Sequence, residues 1–181
     1  MQFHATELDG VLRIEIDPQR DSRGFFARTF CPDEFARAKI TFVAAQMNLS
    51  RNVARHTLRG LHYRRPPFAE AKVVRAVRGR LYDVVVDLRK ESPSFGKWTA
   101  VELDASGARA LYIPEGCAHG FLTLEPDTDV LYLMGRPYAP GHDAGLRWND
   151  PQLAIDWPAR PLAISPQDET WPLIDRATFG H

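Results

Sequence analysis

Lys72-Val-Val-Arg-Ala-Val-Arg-Gly79-Arg-Leu-Tyr-Asp-Val-Val-Val-Asp-Leu88 is the stretch whose reading decides the fold class. Residues 72–77 and 81–88 are two apolar runs too short for stable helices, joined at Gly79, and they read as strand, tight turn, strand. The β-branched run Val84-Val85-Val86 favours a pleated, buried setting. Working outward, Leu12, Ile14 and Ile16 alternate with Arg13 and Glu15, the period of a half-buried strand. Residues 25–30, 42–48 and 58–63 are further candidates upstream. Downstream, 98–103, 110–113, 120–124 and 130–134 continue at spacings of about ten residues, which argues for a sandwich or barrel. One short helix is expected at 32–39, with Pro32 in its first turn and Asp33 and Glu34 at its positive end. From Pro137 onward the chain is rich in Pro and Trp and reads as an irregular arm wrapping the barrel. The expectation is one all-β domain, 1–181, with short helices.

Composition narrows the function classes. The chain has 181 residues, with 23 Lys+Arg against 23 Asp+Glu. That balance removes the basic excess of a sequence-independent nucleic-acid binder. No apolar run is long enough for a spanning helix, and the first residues lack the pattern of a secretory signal. Cys31 and Cys117 make neither a disulfide framework nor a Cys-x-x-Cys site. A cytoplasmic protein with no nucleic-acid or membrane partner is expected.

Four stretches concentrate reactive side chains. They are Leu58-Arg59-Gly60-Leu61-His62-Tyr63, Lys72-Val73-Val74, Ile113 to Phe121 through His119, and Val130-Leu-Tyr132-Leu-Met134. On a regular strand Arg59 and His62 have opposite parity, so both reach one pocket only if Gly60 permits a bulge or bend. Singly, each side chain has a structural explanation: a satisfied histidine, a snorkelling lysine, a tyrosine whose hydroxyl finds a partner. As a set on the strands of a small barrel, whose interior positions converge, they point to a shared cavity.

Pro114-x-Gly116-x-x-His119 on a strand-rich chain resembles the second motif of the cupins, a jelly-roll (double-stranded β-helix) superfamily. In the first cupin motif a Glu ligand stands where this chain has Lys72, and the His-x-His pair is reduced to His62-Tyr63-Arg64. An ammonium in place of the carboxylate makes a poor divalent-metal site. A closer resemblance covers nearly the whole chain. Asp21-Ser-Arg23-Gly-Phe-Phe26, Gln46-x-Asn48-x-Ser50, Leu58-Arg-Gly-Leu-His62-Tyr, Lys72-Val-Val-Arg, Asp83 to Gly96, Ile113 to Phe121 and Trp148-Asn-Asp-Pro are similar to the dTDP-4-dehydrorhamnose 3,5-epimerase family.

The resemblance implies a homodimeric jelly roll that binds a nucleoside-diphosphate 4-keto-6-deoxy sugar, most often of dTDP, without metal or organic cofactor. It implies that His62 is the base that removes protons acidified by the 4-keto group, with Asp168 orienting its ring. Lys72 would stabilise the enolate and Tyr132 would return a proton from the opposite face. Arg59 and His119 match contacts to the diphosphate or sugar, Arg23 a diphosphate-side contact, and Gln46 and Asn48 the nucleotide region. Phe26 stands in the same motif as Arg23, and Tyr138 matches an aromatic that stacks on the base. Arg28, Met47, Asp143 and Gln167 depart from the pattern, where the family commonly has Glu, Asp, Glu and Lys. Inversion of one centre only, on a related 4-keto sugar or another nucleotide, a metal-dependent oxygenase and a non-catalytic sugar-binding jelly roll are the alternatives.

Overall fold

The computed structural model describes residues 1–175. In chain order the strands are β1 (Gln2–Ala5), β2 (Leu12–Glu15), β3 (Gln19–Asp21), β4 (Gly24–Phe26), β5 (Gln46–Asn52), β6 (Leu58–Arg64) and β7 (Lys72–Arg78). They continue as β8 (Arg80–Asp87), β9 (Trp98–Asp104), β10 (Arg109–Ile113), β11 (Cys117–Thr123), β12 (Thr128–Met134) and β13 (Asp143–Gly145). Two short helices, α1 (Pro32–Arg37) and α2 (Pro166–Thr170), lie outside the sheets. Among the described residues no helix is long and apolar enough to cross a membrane.

The strands form a six-stranded sheet, β1-β2-β10-β7-β12-β5, and a five-stranded sheet, β13-β6-β11-β8-β9, with β3-β4 as a separate hairpin. Pairing within both sheets is antiparallel. Apart from β1–β2 and β8–β9, neighbours in each sheet are not consecutive in sequence, and the two inner faces share one core: this is the cupin jelly roll. Gly79 does not close a hairpin, because β7 belongs to one sheet and β8 to the other. Its φ of +69° suits glycine, and a Cβ there would meet Thr128 Oγ1 at 2.5 Å.

Three apolar clusters explain the sequence pattern. Val74, Ala76, Leu81, Val85, Leu111, Phe121 and Val130 fill the space between the sheets. Val73, Ile14 and Tyr112 point the other way, under Phe35 of α1 and Phe42. Val84, Val86, Leu61 and Ala118 face outward under Leu146, Leu153 and Ile174 of the C-terminal arm. Both faces of the central strands are therefore covered, which is why Val84-Val85-Val86 carries no polar alternation.

Two expected strands differ in extent: one is cut short and the other is displaced toward its C-terminus. At 25–30 pairing stops at Phe26, and at 42–48 it begins only at Gln46. Phe30 and Phe42 instead pack on Phe35, with ring centroids 5.1 and 5.8 Å away, so these aromatics seat α1. The helix itself ends at Arg37, two residues before the expected limit. The arm after Pro137 is irregular apart from β13 and α2.

Candidate active site

The cavity sits where inward-facing residues of both sheets reach one open end of the sandwich. Lys72 and Val74 share a face of β7, as do Val130 and Tyr132 of β12; since Val74 and Val130 lie in the inner core, Lys72 and Tyr132 point inward. Lys72 pairs with Met134, so its side chain lies diagonally beside Tyr132 on the six-stranded sheet. From the five-stranded sheet come His62 and Arg59 of β6 and His119 of β11. Together they line a cavity of about 390 Å³.

Arg59 and His62 reach the same cavity because the β6–β11 ladder slips a register. His119 lies opposite His62 and Phe121 opposite Arg59, so three residues of β6 span what two span on β11. Gly60 makes this possible: its φ is +130°, and a Cβ would stand 2.5 Å from Gly120 Cα. The bend required by the parity of Arg59 and His62 is present.

Asp168 is buried behind His62. Ser165 caps α2 by accepting from the Asp168 amide at 3.1 Å, which fixes the carboxylate toward β6. Asp168 Oδ1 lies 2.6 Å from His62 Nε2 and accepts from Trp171 Nε1 at 3.1 Å, while Oδ2 accepts from the Gly60 amide at 3.3 Å. Burial alone would raise this carboxyl, but the hydrogen bonds from His62, Gly60 and Trp171 outweigh it and hold it below the ordinary value. The His62 side chain stays half exposed toward the cavity.

A second buried pair stands beside it. His119 Nε2 lies 2.6 Å from Asp83 Oδ1, and the other oxygen of Asp83 is buried without a hydrogen-bond partner. The His119 and Tyr132 rings approach at 6.0 Å, edge to face. Burial raises the Tyr132 phenol well above its ordinary value, and the negative charge of Asp83 adds to this. The phenol therefore keeps its proton across the neutral range.

Toward the mouth, Arg59 Nε donates to Asn52 Oδ1 at 2.8 Å, which anchors the guanidinium. Asn48 and Asp143 line the cavity, and Gln46 bridges them to the rim. Gln46 Nε2 donates to Asn48 Oδ1 at 2.8 Å, and the Tyr138 amide donates to Gln46 Oε1 at 2.9 Å. The Tyr138 hydroxyl donates to Asp143 at 3.2 Å and its ring lies under Arg64.

Of the expected site residues, His62, Lys72, Tyr132, Arg59, His119, Asn48 and Asp143 line the cavity. Asp168 supports His62, and Gln46 and Tyr138 form the rim. Arg23 and Phe26 are not brought there: they sit on the exposed β3–β4 hairpin, where Arg23 pairs with Asp21. Of the departures, Asp143 and Gln167 line the cavity, Met47 faces away, and Arg28 pairs with Glu34 at 3.0 Å. Asp83, Asn52, Glu70 and Trp171 were not singled out from sequence. The signals for Asp83 were a charged residue inside the Val-rich β8 and its place at the head of the stretch Asp83 to Gly96. Among the described residues no cluster of three His, Cys, Asp or Glu has metal-holding geometry.

An inward-facing jelly-roll pocket with an Asp-supported histidine, a buried lysine and a neutral tyrosine defines an acid–base enzyme site. Residues 5–176 match the family model for dTDP-4-dehydrorhamnose 3,5-epimerase, and the chain belongs to that family. The dTDP-4-dehydrorhamnose 3,5-epimerase of Methanothermobacter thermautotrophicus is 42% identical over 98% of this chain and 97% of its own. The dTDP-4-dehydrorhamnose 3-epimerase of Streptomyces niveus is 38% identical over 98% of this chain and 86% of its own. Among solved structures, the Bacillus anthracis dTDP-4-dehydrorhamnose 3,5-epimerase with TDP and PPi bound superposes with a TM-score of 0.93. It is 37% identical and covers 96% of this chain and 99% of its own.

Proposed function

We propose that this chain, acting as one domain, inverts C3 and C5 of dTDP-4-dehydro-6-deoxy-D-glucose to give dTDP-4-dehydro-L-rhamnose, in deoxysugar synthesis. The observation that carries this reading is the placement of two protonatable groups on opposite walls: His62 on the five-stranded sheet and Tyr132 on the six-stranded one. Inversion at carbon needs a proton removed from one face and another delivered to the other. With one ring nitrogen tied to Asp168, the other nitrogen of His62 takes the C–H proton next to the 4-keto group. The electron pair moves onto the keto oxygen, where the Lys72 ammonium stabilises the enolate. Tyr132, holding its proton, delivers it to the far face of the carbon. Arg59, anchored by Asn52, and His119 hold the diphosphate or sugar, while Gln46, Asn48, Asp143 and Tyr138 form the nucleoside end.

The protein works as a homodimer in this reading. The β3–β4 hairpin carries Arg23 and Phe26 away from their own cavity, with Phe26 81% exposed, and the edge strand β5 presents Met47 and Leu49 beside the cavity mouth. These features support delivery of Arg23 and Phe26 to the cavity of a second copy. The unpaired Cys31 and Cys117 accord with the reducing cytoplasm.

Incubation with the dTDP-4-keto-6-deoxy sugar in D2O, followed by NMR, tests the reaction. Deuterium at both C3 and C5 with the L-configuration is expected. Label and inversion at one centre would replace the reading with single-centre epimerisation. Because Lys72 stands in place of a carboxylate ligand, activity should survive EDTA; loss with EDTA that a divalent ion restores would overturn metal-free catalysis.

A further inference from the structure

The mechanism uses Lys72 as a fixed cation, yet Lys72 is almost wholly enclosed, with its side chain 8% exposed. A lone ammonium in such a place would shed its proton to escape desolvation. Glu70 stands beside it. Its Oε1 lies 3.6 Å from Lys72 Nζ, its side chain is 5% exposed, and it lines the same cavity. Glu70 stands two residues before Lys72 at the entry to β7, and both side chains face one cavity.

Glu70 is in turn held from behind. Arg64, also buried, places Nη1 2.9 Å from Glu70 Oε2 as an ion pair without hydrogen-bond geometry, while that Nη1 donates to the Pro137 carbonyl and its Nε to Asp143, each at 3.2 Å. The row Asp143–Arg64–Glu70–Lys72 alternates in sign and runs from the nucleoside rim to the reacting end. We propose that Glu70 is the positioning residue of this site: it keeps the Lys72 ammonium charged and aimed into the cavity, with Arg64 and Asp143 as its support. The proposal rests on the reading of Lys72 given above.

The charges around Lys72 show why Glu70 matters. Burial pushes the Lys72 proton off and Arg64 repels it, while Glu70 is the strongest opposing influence and Asp83 on β8 a weaker one. Burial likewise raises Glu70, and the charges of Lys72 and Arg64 oppose that rise. Cys117 on β11, pushed up to about 12 by burial, and Tyr132 on β12 stay neutral and do not replace the missing negative charge. Without Glu70, two buried cations would face each other across the space the carboxylate occupied.

The experiment follows solvent-deuterium incorporation into the dTDP-4-keto-6-deoxy sugar from pH 6 to 10 for wild type, Glu70→Gln, Glu70→Asp and Lys72→Met. All four share both imidazoles, so differences report on the Lys72–Glu70 pair. In Glu70→Gln the maximal rate should fall and the alkaline limb should move to lower pH by about one to three units. Glu70→Asp should recover part of both, and Lys72→Met should lose exchange. An unchanged rate and alkaline limb in Glu70→Gln, with Lys72→Met inactive, would overturn the role of Glu70 alone. Full exchange in Lys72→Met would withdraw the reading of Lys72, and the proposal with it. If Glu70→Gln does not fold, NMR titration of the Lys72 side chain in wild type decides: a charged ammonium at pH 8 supports the proposal, a neutral amine at pH 7 overturns it.

Discussion

Replacing Asp168 by Asn tests how much the buried carboxylate contributes to the base. Three donors converge on it: the His62 ring, the Trp171 indole and the Gly60 amide. An Asn can turn its one carbonyl oxygen toward His62 and Trp171, which then sets its NH2 against the Gly60 N–H. That leaves one buried donor unsatisfied, a cost of about 1–3 kcal/mol. For a chain of this size, about 2 kcal/mol lowers Tm by about 4–8 °C. The rate suffers separately. Once His62 has taken a proton, a neutral amide replaces the carboxylate against an imidazolium, losing a charge-assisted bond of about 1.5–3 kcal/mol. The proton-exchange rate should therefore fall about 10- to 100-fold. Calorimetry and deuterium exchange on the same preparation read the two effects. Exchange within twofold of wild type would show that Asp168 does not tune the base. A loss as large as that of a His62 deletion would show that Asp168 is itself indispensable.

Two further outcomes follow from the same geometry. His62→Ala should lower both exchange and inversion by a factor on the order of 10²–10⁴, the usual contribution of a general base; retained exchange would point to another base. Asp87 is fully buried, and burial would raise its carboxyl, but hydrogen bonds from Arg89, Ser92 and Ser94 bring it from 3.8 to about 2. A depressed carboxyl stabilises above its unfolded value and loses that contribution as pH falls through the folded one. Asp87 should thus add about 2 kcal/mol above pH 4, lost between pH 4 and about 2. Asp87→Asn should flatten that part of the acid-denaturation curve, and an unaltered curve would refute the assignment.

Much of the sheet architecture was legible because the central strands are covered on both faces, so their apolar runs stand out between polar turns. What the runs do not show is partnership. Gly79 reads as a hairpin turn and is a crossing between sheets, since only the register with β12 and β11 decides which sheet each strand joins. β1 and β3 were missed: one is a half-exposed edge strand, and the other has all of its residues exposed. β3 has no apolar residue, and β1 is only four residues long, with Phe3 its one residue packed on the α1 cluster. The convergence of Arg59 and His62 could be posed from parity and the glycine between them. Asp168, by contrast, lies 106 residues from His62, and family resemblance, not periodicity, pointed to it. The Glu70–Arg64–Asp143 row was invisible for a similar reason: charged residues near turns read as solvated, and only the fold buries Glu70 and Arg64 beside the exposed Asp143.

Tyr132→Phe, assayed in D2O, tests the central claim of two protonatable groups on opposite walls most directly. The substitution keeps the ring, its packing against His119 and the burial of β12, and removes only the hydroxyl. His62 and Lys72 remain, so the enolate should still form and be reprotonated from the side it left. The account predicts deuterium at C3 or C5 with little inverted product. Inversion at near the wild-type rate would contradict it, placing the second proton donor elsewhere. Loss of exchange together with inversion would also contradict it, since Tyr132 would then be needed to form the enolate.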